Sequence, residues 1–291
     1  MRYAEERHAR HTQSRPGRPA ALRHTAIINN QSSIVNPNGF TLIELLVVIA
    51  IIVLLVSILM PSLQRVWKQA KAVVCQTRLH EVGLYFAGYA AEHDGNLNMR
   101  GDQAWEGYFL YVVAGRSWER KELLLCPMAT RPKSTAEPHL EAHGDTFSAW
   151  QTPVWDEPTP RPIHVGSYGW NYRTGEPAPG LGSLETRAGA SVPVYLDCIS
   201  YAMGPYTWRE EPPPYECCVV AHVTAIGYSC INRHNGGVNC VFLDGSVRKV
   251  GLKELWTLKW HGRFDTAGPW TKRGGVGPED WPQWMRRFKD Y

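Results

Sequence analysis

From Phe40 to Met60 the chain is apolar at every position except Thr41, Glu44 and Ser57, a run of 21 residues. At about 1.5 Å rise per residue this predicts a helix long enough to cross a hydrocarbon core of roughly 30 Å. Pro61 follows, where a missing N–H and a clash with the preceding turn predict a bend. The periodicity then changes. Ala72, Cys75, Leu79, Val82, Phe86 and Tyr89 recur at spacings of three and four, one apolar stripe of an amphipathic helix. Glu92-His93-Asp94-Gly95 supplies a polar turn and a glycine stop. A continuous helix from Phe40 to Ala91 would be about 78 Å long. Gly83 and Gly88 weaken it by about 1 kcal/mol each relative to alanine.

Beyond the helix the pattern shortens. Tyr108–Val113, Leu123–Leu125, Pro193–Leu196 and Val219–Val223 read as β-like runs. Prolines 127, 132, 138, 153, 158, 160 and 162 mark a stretch that reads as loop excursion rather than core, and Pro212-Pro213-Pro214 marks a second loop. Val238–Leu243, Asp244-Gly245 and Ser246–Val250 form the clearest signal, two β-rich runs flanking a hairpin dipeptide. One long helix followed by a small antiparallel sheet is an α+β arrangement. The expected division is a leader over 1–39, a membrane half of the helix over 40–60, a second half over 61–94 and a globular domain over 95–291.

Glu44 sits inside the apolar run, where an acid at the helix centre is disfavoured by roughly 2.5–3.5 kcal/mol and needs a partner. Cleavage after Gly39 would create one, the new amino group of Phe40. The residues GFTLIELLVVIAII resemble the cleavage and methylation segment of type IV prepilins and type II secretion pseudopilins. That resemblance implies a prepilin peptidase cut between Gly39 and Phe40 on the cytoplasmic face, and methylation of the new N-terminus. It also implies that Glu44 pairs with a neighbouring subunit's terminal amine during filament assembly. An ordinary secretory signal fits less well, because the apolar run is longer than roughly 7–15 residues and Ser57–Pro61 contains no A-x-A site.

Charge adds two points. The whole chain has 31 basic and 27 acidic residues; the leader holds six arginines and two glutamates, so residues 40–291 balance at 25 each. A neutral mature chain gives no electrostatic argument for nucleic-acid binding. The basic residue nearest the apolar run on its N-terminal side is Arg23, whereas Arg65, Lys68 and Lys71 follow closely on the other. The positive-inside rule alone would keep the C-terminal domain in the cytoplasm, whereas the cleavage segment requires the opposite orientation; the segment takes precedence. Residues 1–39 make a long leader without a basic residue beside Gly39. A GUG start at Val35 would leave a leader ending Asn36-Pro37-Asn38-Gly39, with residues 1–34 as upstream sequence. A peptide from residues 1–34 in cells lacking the peptidase would sink that reading.

A second resemblance covers more of the globular part. His234 followed after nine residues by Asp244-Gly245 is similar to the H-x9-DG signature of a large group of prepilin-like proteins. Ser167-Tyr168-Gly169-Trp170-Asn171 and Cys126-Pro127 are similar to further segments of that group. His234 and Asp244 could be a metal or catalytic pair. The preferred reading is architectural: Asp244 starts the turn, Gly245 supplies positive φ, and His234 caps the Asn235-Gly236-Gly237 bend. Some pseudopilins hold calcium near the C-terminus; Asp244, Asp265, Glu279 and Asp280 are the suggestive acids here, without EF-hand spacing.

Seven cysteines (75, 126, 198, 217, 218, 230, 240) are an odd number for an exported domain, so at least one is free or shared between subunits. Cys230 and Cys240 could bridge, and Cys75 reads as a small buried hydrophobe on the helix stripe. No C-x-x-C pair supports a structural zinc site. His139-Leu140-Glu141-Ala142-His143 misplaces the glutamate of a zinc-protease helix, and no P-loop, G-x-S-x-G elbow or dinucleotide fingerprint is present. No catalytic residue and no cofactor other than calcium is expected. Trp256, Trp260, Trp270, Trp281 and Trp284 read as core fillers of an irregular tail, with an interface or glycan-stacking surface as the alternative.

The expectation is a pseudopilin-like structural subunit rather than an enzyme. It would be single-pass in the bacterial inner membrane, with its C-terminal domain exported to the periplasm or cell surface. Its partners would be the prepilin peptidase and, through the N-terminal helix, other pseudopilin subunits of a type II secretion or pilus-like filament. The alternative is an exported binding module that uses the prepilin signal only for targeting.

Overall fold

The computed structural model describes residues 39–92, 122–132, 143–153, 163–175, 189–205, 210–216 and 224–291. The leader up to residue 38, the runs expected at Tyr108–Val113 and Val219–Val223, the turn after Glu92, Cys217-Cys218 and His139–Ala142 lie outside the described residues. The chain forms two units, residues 1–54 and 55–291.

Among the described residues one α-helix, α1, spans Leu42–Glu92 and runs through Pro61. In the first unit it comprises residues 42–54, apolar except for Glu44 and all exposed. In the second unit it stays exposed until residue 71, then buries Cys75, Leu79, Val82, Gly83, Phe86, Tyr89 and Ala90. That face is the apolar stripe expected from spacing, less Ala72, which is half-buried.

The stripe packs on a five-stranded sheet of order β5-β3-β4-β6-β7. Its strands are β3 (Tyr168–Asn171), β4 (Pro193–Asp197), β5 (Ala202–Met203), β6 (Gly237–Phe242) and β7 (Val247–Gly251). All neighbours are antiparallel except β3 and β5, so the sheet is mixed rather than purely antiparallel. The β6–β7 hairpin has the expected place, with Val241 opposite Val247 and Gly237 opposite Gly251. Period-2 alternation sends the side chains of β6 to two cores. Val241 joins the core beneath α1, while Val238, Cys240 and Phe242 join Leu255, Trp256, Trp260, Trp281 and Met285 on the other face. Side chains also clamp the helix: Gln76 donates to Asn239 Oδ1 at 3.1 Å, and Asn239 Nδ2 donates to the Ala72 carbonyl at 3.2 Å.

The irregular tail after β7 is thus the third layer. Trp256, Trp260 and Trp281 are buried, and Trp270 and Trp284 pack against them half-buried. Trp281 stands edge-on to Trp256 with centroids 5.4 Å apart, a geometry worth about 0.5–1.5 kcal/mol beyond its area burial. The tryptophans fill a core.

Two expectations need correction. Residues 122–124 form a 3-10 turn rather than a β run, burying Leu123 and Leu124. The proline-marked stretch is not all excursion: Trp150–Pro153 (β1) pairs antiparallel with Ile163–Gly166 (β2), Trp150 opposite Gly166. Ala129, Ala149 and Trp150 are buried. A Cβ at Gly166 would lie 2.3 Å from the Trp150 ring, so only glycine lets the indole lie across the partner strand.

Candidate functional site

The first candidate stretch is the start of α1. Gly39 and Phe40 precede the helix, and Phe40 is exposed. Thr41 is the N-cap. Its backbone N–H donates to Glu44 Oε2 at 2.9 Å, its hydroxyl donates to the same oxygen at 2.7 Å, and Glu44 N–H donates back to Thr41 Oγ1 at 3.3 Å. These reciprocal bonds form a capping box, T-x-x-E, which satisfies donors that a helix start otherwise leaves open. Glu44 therefore has a partner within its own chain, in Thr41.

The second stretch is buried in the residue 55–291 unit, where four elements converge. The register of α1 places Cys75 against the C-terminal residue of β4, Asp197. Backbone bonds from Ser167 to the Leu124 carbonyl (2.8 Å) and from Cys126 to Ser167 Oγ bring Cys126 alongside. The tight turn before β6, closed by His234 N–H to the Gly237 carbonyl at 3.0 Å, presents the His234 ring. The thiols of Cys75 and Cys126, the carboxylate of Asp197 and the imidazole of His234 lie within 4.8 Å of one another, all buried. His234 Nε2 is 3.0 Å from Asp197 Oδ2 and 3.3 Å from Cys126 Sγ; Cys75 Sγ is 3.7 Å from the same carboxylate oxygen.

The surrounding groups orient these four. Arg233 Nη1 donates to Asp197 Oδ1 at 3.0 Å, and the guanidinium also donates to the carbonyls of Ser167 (2.6 Å), Thr146 (2.8 Å) and Asp145 (3.0 Å). Asn239 N–H donates to Asp197 Oδ2 at 2.8 Å, and the Tyr168 hydroxyl donates to Cys75 Sγ at 3.2 Å. Burial works against ionising Asp197, but the charge and hydrogen bond of His234, then Arg233, outweigh it and hold the carboxyl at about 2. Burial likewise opposes the charged form of His234, and the Asp197 carboxylate overcomes it to raise the imidazole to about 9. Burial pushes the Cys126 thiol well above its ordinary range.

His234 and Asp244 are not brought together. They flank β6, whose six residues at roughly 3.3 Å each keep them about 20 Å apart. Asp244 Oδ1 accepts from Ser246 N–H (3.0 Å) and Oγ (2.6 Å), and Gly245 has φ +81°, so both serve the hairpin turn. The His234 side chain does not cap the following bend; it belongs to the buried cluster. Cys75 lies on the helix stripe, but among polar groups rather than as a simple apolar filler. Cys230 and Cys240 are both free. Each suggestive acid near the C-terminus has a local partner: Asp265 accepts from Ala267 N–H, Asp280 from Gly277 N–H, and Glu279 pairs with Arg286.

Asp197 and Arg233 belong to no local spacing motif. The available hint was an acid ending the apolar run Pro193–Leu196, since a charged residue at a core position is rare unless paired.

Residues 36–60 match the prokaryotic N-terminal methylation motif. The chain thus carries a prepilin-type N-terminal segment, and the matched residues take in Gly39, Phe40, Glu44 and the apolar start of α1. No curated protein and no solved structure matches the chain.

Proposed function

We propose that this chain is a pilin-like structural subunit, anchored in the inner membrane by the apolar part of α1, processed by a prepilin peptidase and assembled into a filament through that helix. The observation that carries the reading is the coincidence of the methylation motif at residues 36–60 with a helix whose large apolar side chains, from Leu42 to Met60, are exposed. An exposed apolar surface of that extent demands lipid or like helices around it.

Cleavage after Gly39 frees the amino group of Phe40 one turn from Glu44. In hydrocarbon, a carboxylate next to an amine of a neighbouring subunit is far better matched than either group alone. The capping box keeps Glu44 satisfied in the single chain, and assembly exchanges its Thr41 bonds for that pairing. The α+β domain beyond Met60 is then carried outside the membrane, where it serves as the exposed body of a pseudopilus or related filament.

N-terminal mass spectrometry of the protein from native membranes, with and without the prepilin peptidase, tests this. The expected product is a chain beginning at N-methylated Phe40 only where the peptidase is present. A chain retaining Gly39 in both strains would overturn it.

A further inference from the structure

We propose that Cys75, Cys126, Asp197 and His234 form a structural site for one divalent transition-metal ion, zinc by its chemistry, which pins α1 to the sheet. The first support is geometric. A tetrahedral zinc ion with bonds of about 2.3 Å to sulfur, 2.0–2.1 Å to imidazole and 2.0–2.2 Å to carboxylate sets its ligand atoms roughly 3.3–3.8 Å apart. Here the Cys75 sulfur to carboxylate is 3.7–3.8 Å, the Cys126 sulfur to imidazole 3.3 Å and imidazole to carboxylate 3.0 Å, and every pair among the four lies within 4.8 Å. Contraction of these four atoms to the spacings above makes a coordination shell.

The second support is ligand type. Two thiols and an imidazole are poor partners for calcium or magnesium, which take oxygen ligands. With one carboxylate they make a mixed sulfur, nitrogen and oxygen set that suits zinc.

The third is charge. A divalent cation, two thiolates and one carboxylate leave one unit of negative charge. The buried Arg233 guanidinium, 3.0 Å from the carboxylate oxygen remote from His234, cancels it. The thiol protons leave as the metal enters.

The fourth is the outer layer. Asn239 N–H and Arg233 fix the carboxylate, and the Tyr168 hydroxyl points at the Cys75 sulfur, the kind of support that metal sites use to orient ligands. Four protein ligands, all buried, leave no open position for substrate. The site is therefore structural rather than catalytic. Its ligands come from α1, the 122–132 segment, β4 and the turn before β6, so a single ion ties together elements remote in sequence.

The test uses the full chain, extracted from membranes in detergent and purified without a metal-affinity tag. Elemental analysis should find about one equivalent of zinc per chain, and exchange into cobalt(II) should produce a thiolate-to-cobalt charge-transfer band. Cys126→Ser and His234→Ala should lose the metal, whereas Cys240→Ser, at a buried cysteine outside the cluster, should keep it. Wild-type protein that holds no metal after loading with zinc or cobalt would overturn the proposal whether or not the variants fold. So would a Cys75–Cys126 disulfide found by non-reducing peptide mapping of the native protein. Neither result bears on N-terminal processing, so the filament reading stands or falls separately.

Discussion

Gly83 of α1 and Val241 of β6 meet so closely that a Cβ on the glycine would lie 2.8 Å from Val241 Cγ2. Helix propensity alone marks Gly83 and Gly88 as equal defects of about 1 kcal/mol each. Packing separates them. Val241 is buried and β-branched, so its methyl has little freedom to move aside, and overpacking of this kind is destabilising by about 1–3 kcal/mol. Gly88 is exposed, with nothing within 4 Å of the position its Cβ would take. Gly83→Ala should lower the denaturation midpoint of the detergent-solubilised chain, and Gly88→Ala should raise stability by roughly 1 kcal/mol. Equal shifts for the two would mean that the helix does not sit on β6 as described.

Trp281 tests whether the tail is core or docking surface. It is buried against Trp256 and Trp270, and the Lys253 ammonium, paired with Asp290 at 2.6 Å, lies 4.9 Å from its ring centre. Trp281→Ala should destabilise the domain by about 3–5 kcal/mol, as large aromatic truncations in cores do. Trp284→Ala, at a half-buried position, should be milder. A Trp281→Ala protein with an unchanged unfolding midpoint would return the tail to the interface reading.

Arg233 has a different task from any residue singled out by sequence pattern. Its guanidinium serves one carboxylate and three carbonyls through Nε, Nη1 and Nη2. A lysine ammonium cannot reproduce that planar fork. Arg233→Met leaves the Asp197 charge and the carbonyls buried, so a loss of about 3–5 kcal/mol is expected, with Arg233→Lys recovering only part of it. Asp244→Ala should lose only about 0.5–1.5 kcal/mol, because its acceptor role lies in an exposed turn. Urea denaturation of the three variants side by side measures the ranking, and a more damaging Asp244→Ala would reverse the roles given to the two aspartates.

The helix stripe was legible because its apolar positions repeat over five turns, and the β6–β7 hairpin because Asp244-Gly245 has one dominant turn geometry. Strand β3 was hidden: Tyr168–Asn171 is buried on both faces, so no alternation marks it. Strands β1 and β2 lie inside a proline-rich stretch whose composition reads as loop. The buried cluster escaped for a topological reason. Its four ligand-type residues come from separate stretches, and spacing rules detect only ligands that are neighbours in sequence. The capping box was readable as Thr41-x-x-Glu44, but the acid's position in an apolar run drew attention to a partner in another chain.

Glu44 has two roles to separate, because the same carboxylate caps its helix through Thr41 and would meet the amine of a neighbouring subunit. Glu44→Gln keeps a carbonyl oxygen able to accept the Thr41 bonds while removing the charge. Glu44→Val removes both, and Thr41→Ala removes the cap while leaving the acid, at about 1 kcal/mol. If charge pairing drives assembly, all three variants are cleaved after Gly39, and Thr41→Ala still enters filaments. Glu44→Gln and Glu44→Val then both stay in the membrane fraction. The measurement is the share of processed subunit recovered in sheared filaments against that left in membranes. Normal incorporation of Glu44→Gln alongside failure of Thr41→Ala would assign Glu44 to helix capping and remove the intersubunit ion pair from the assembly mechanism.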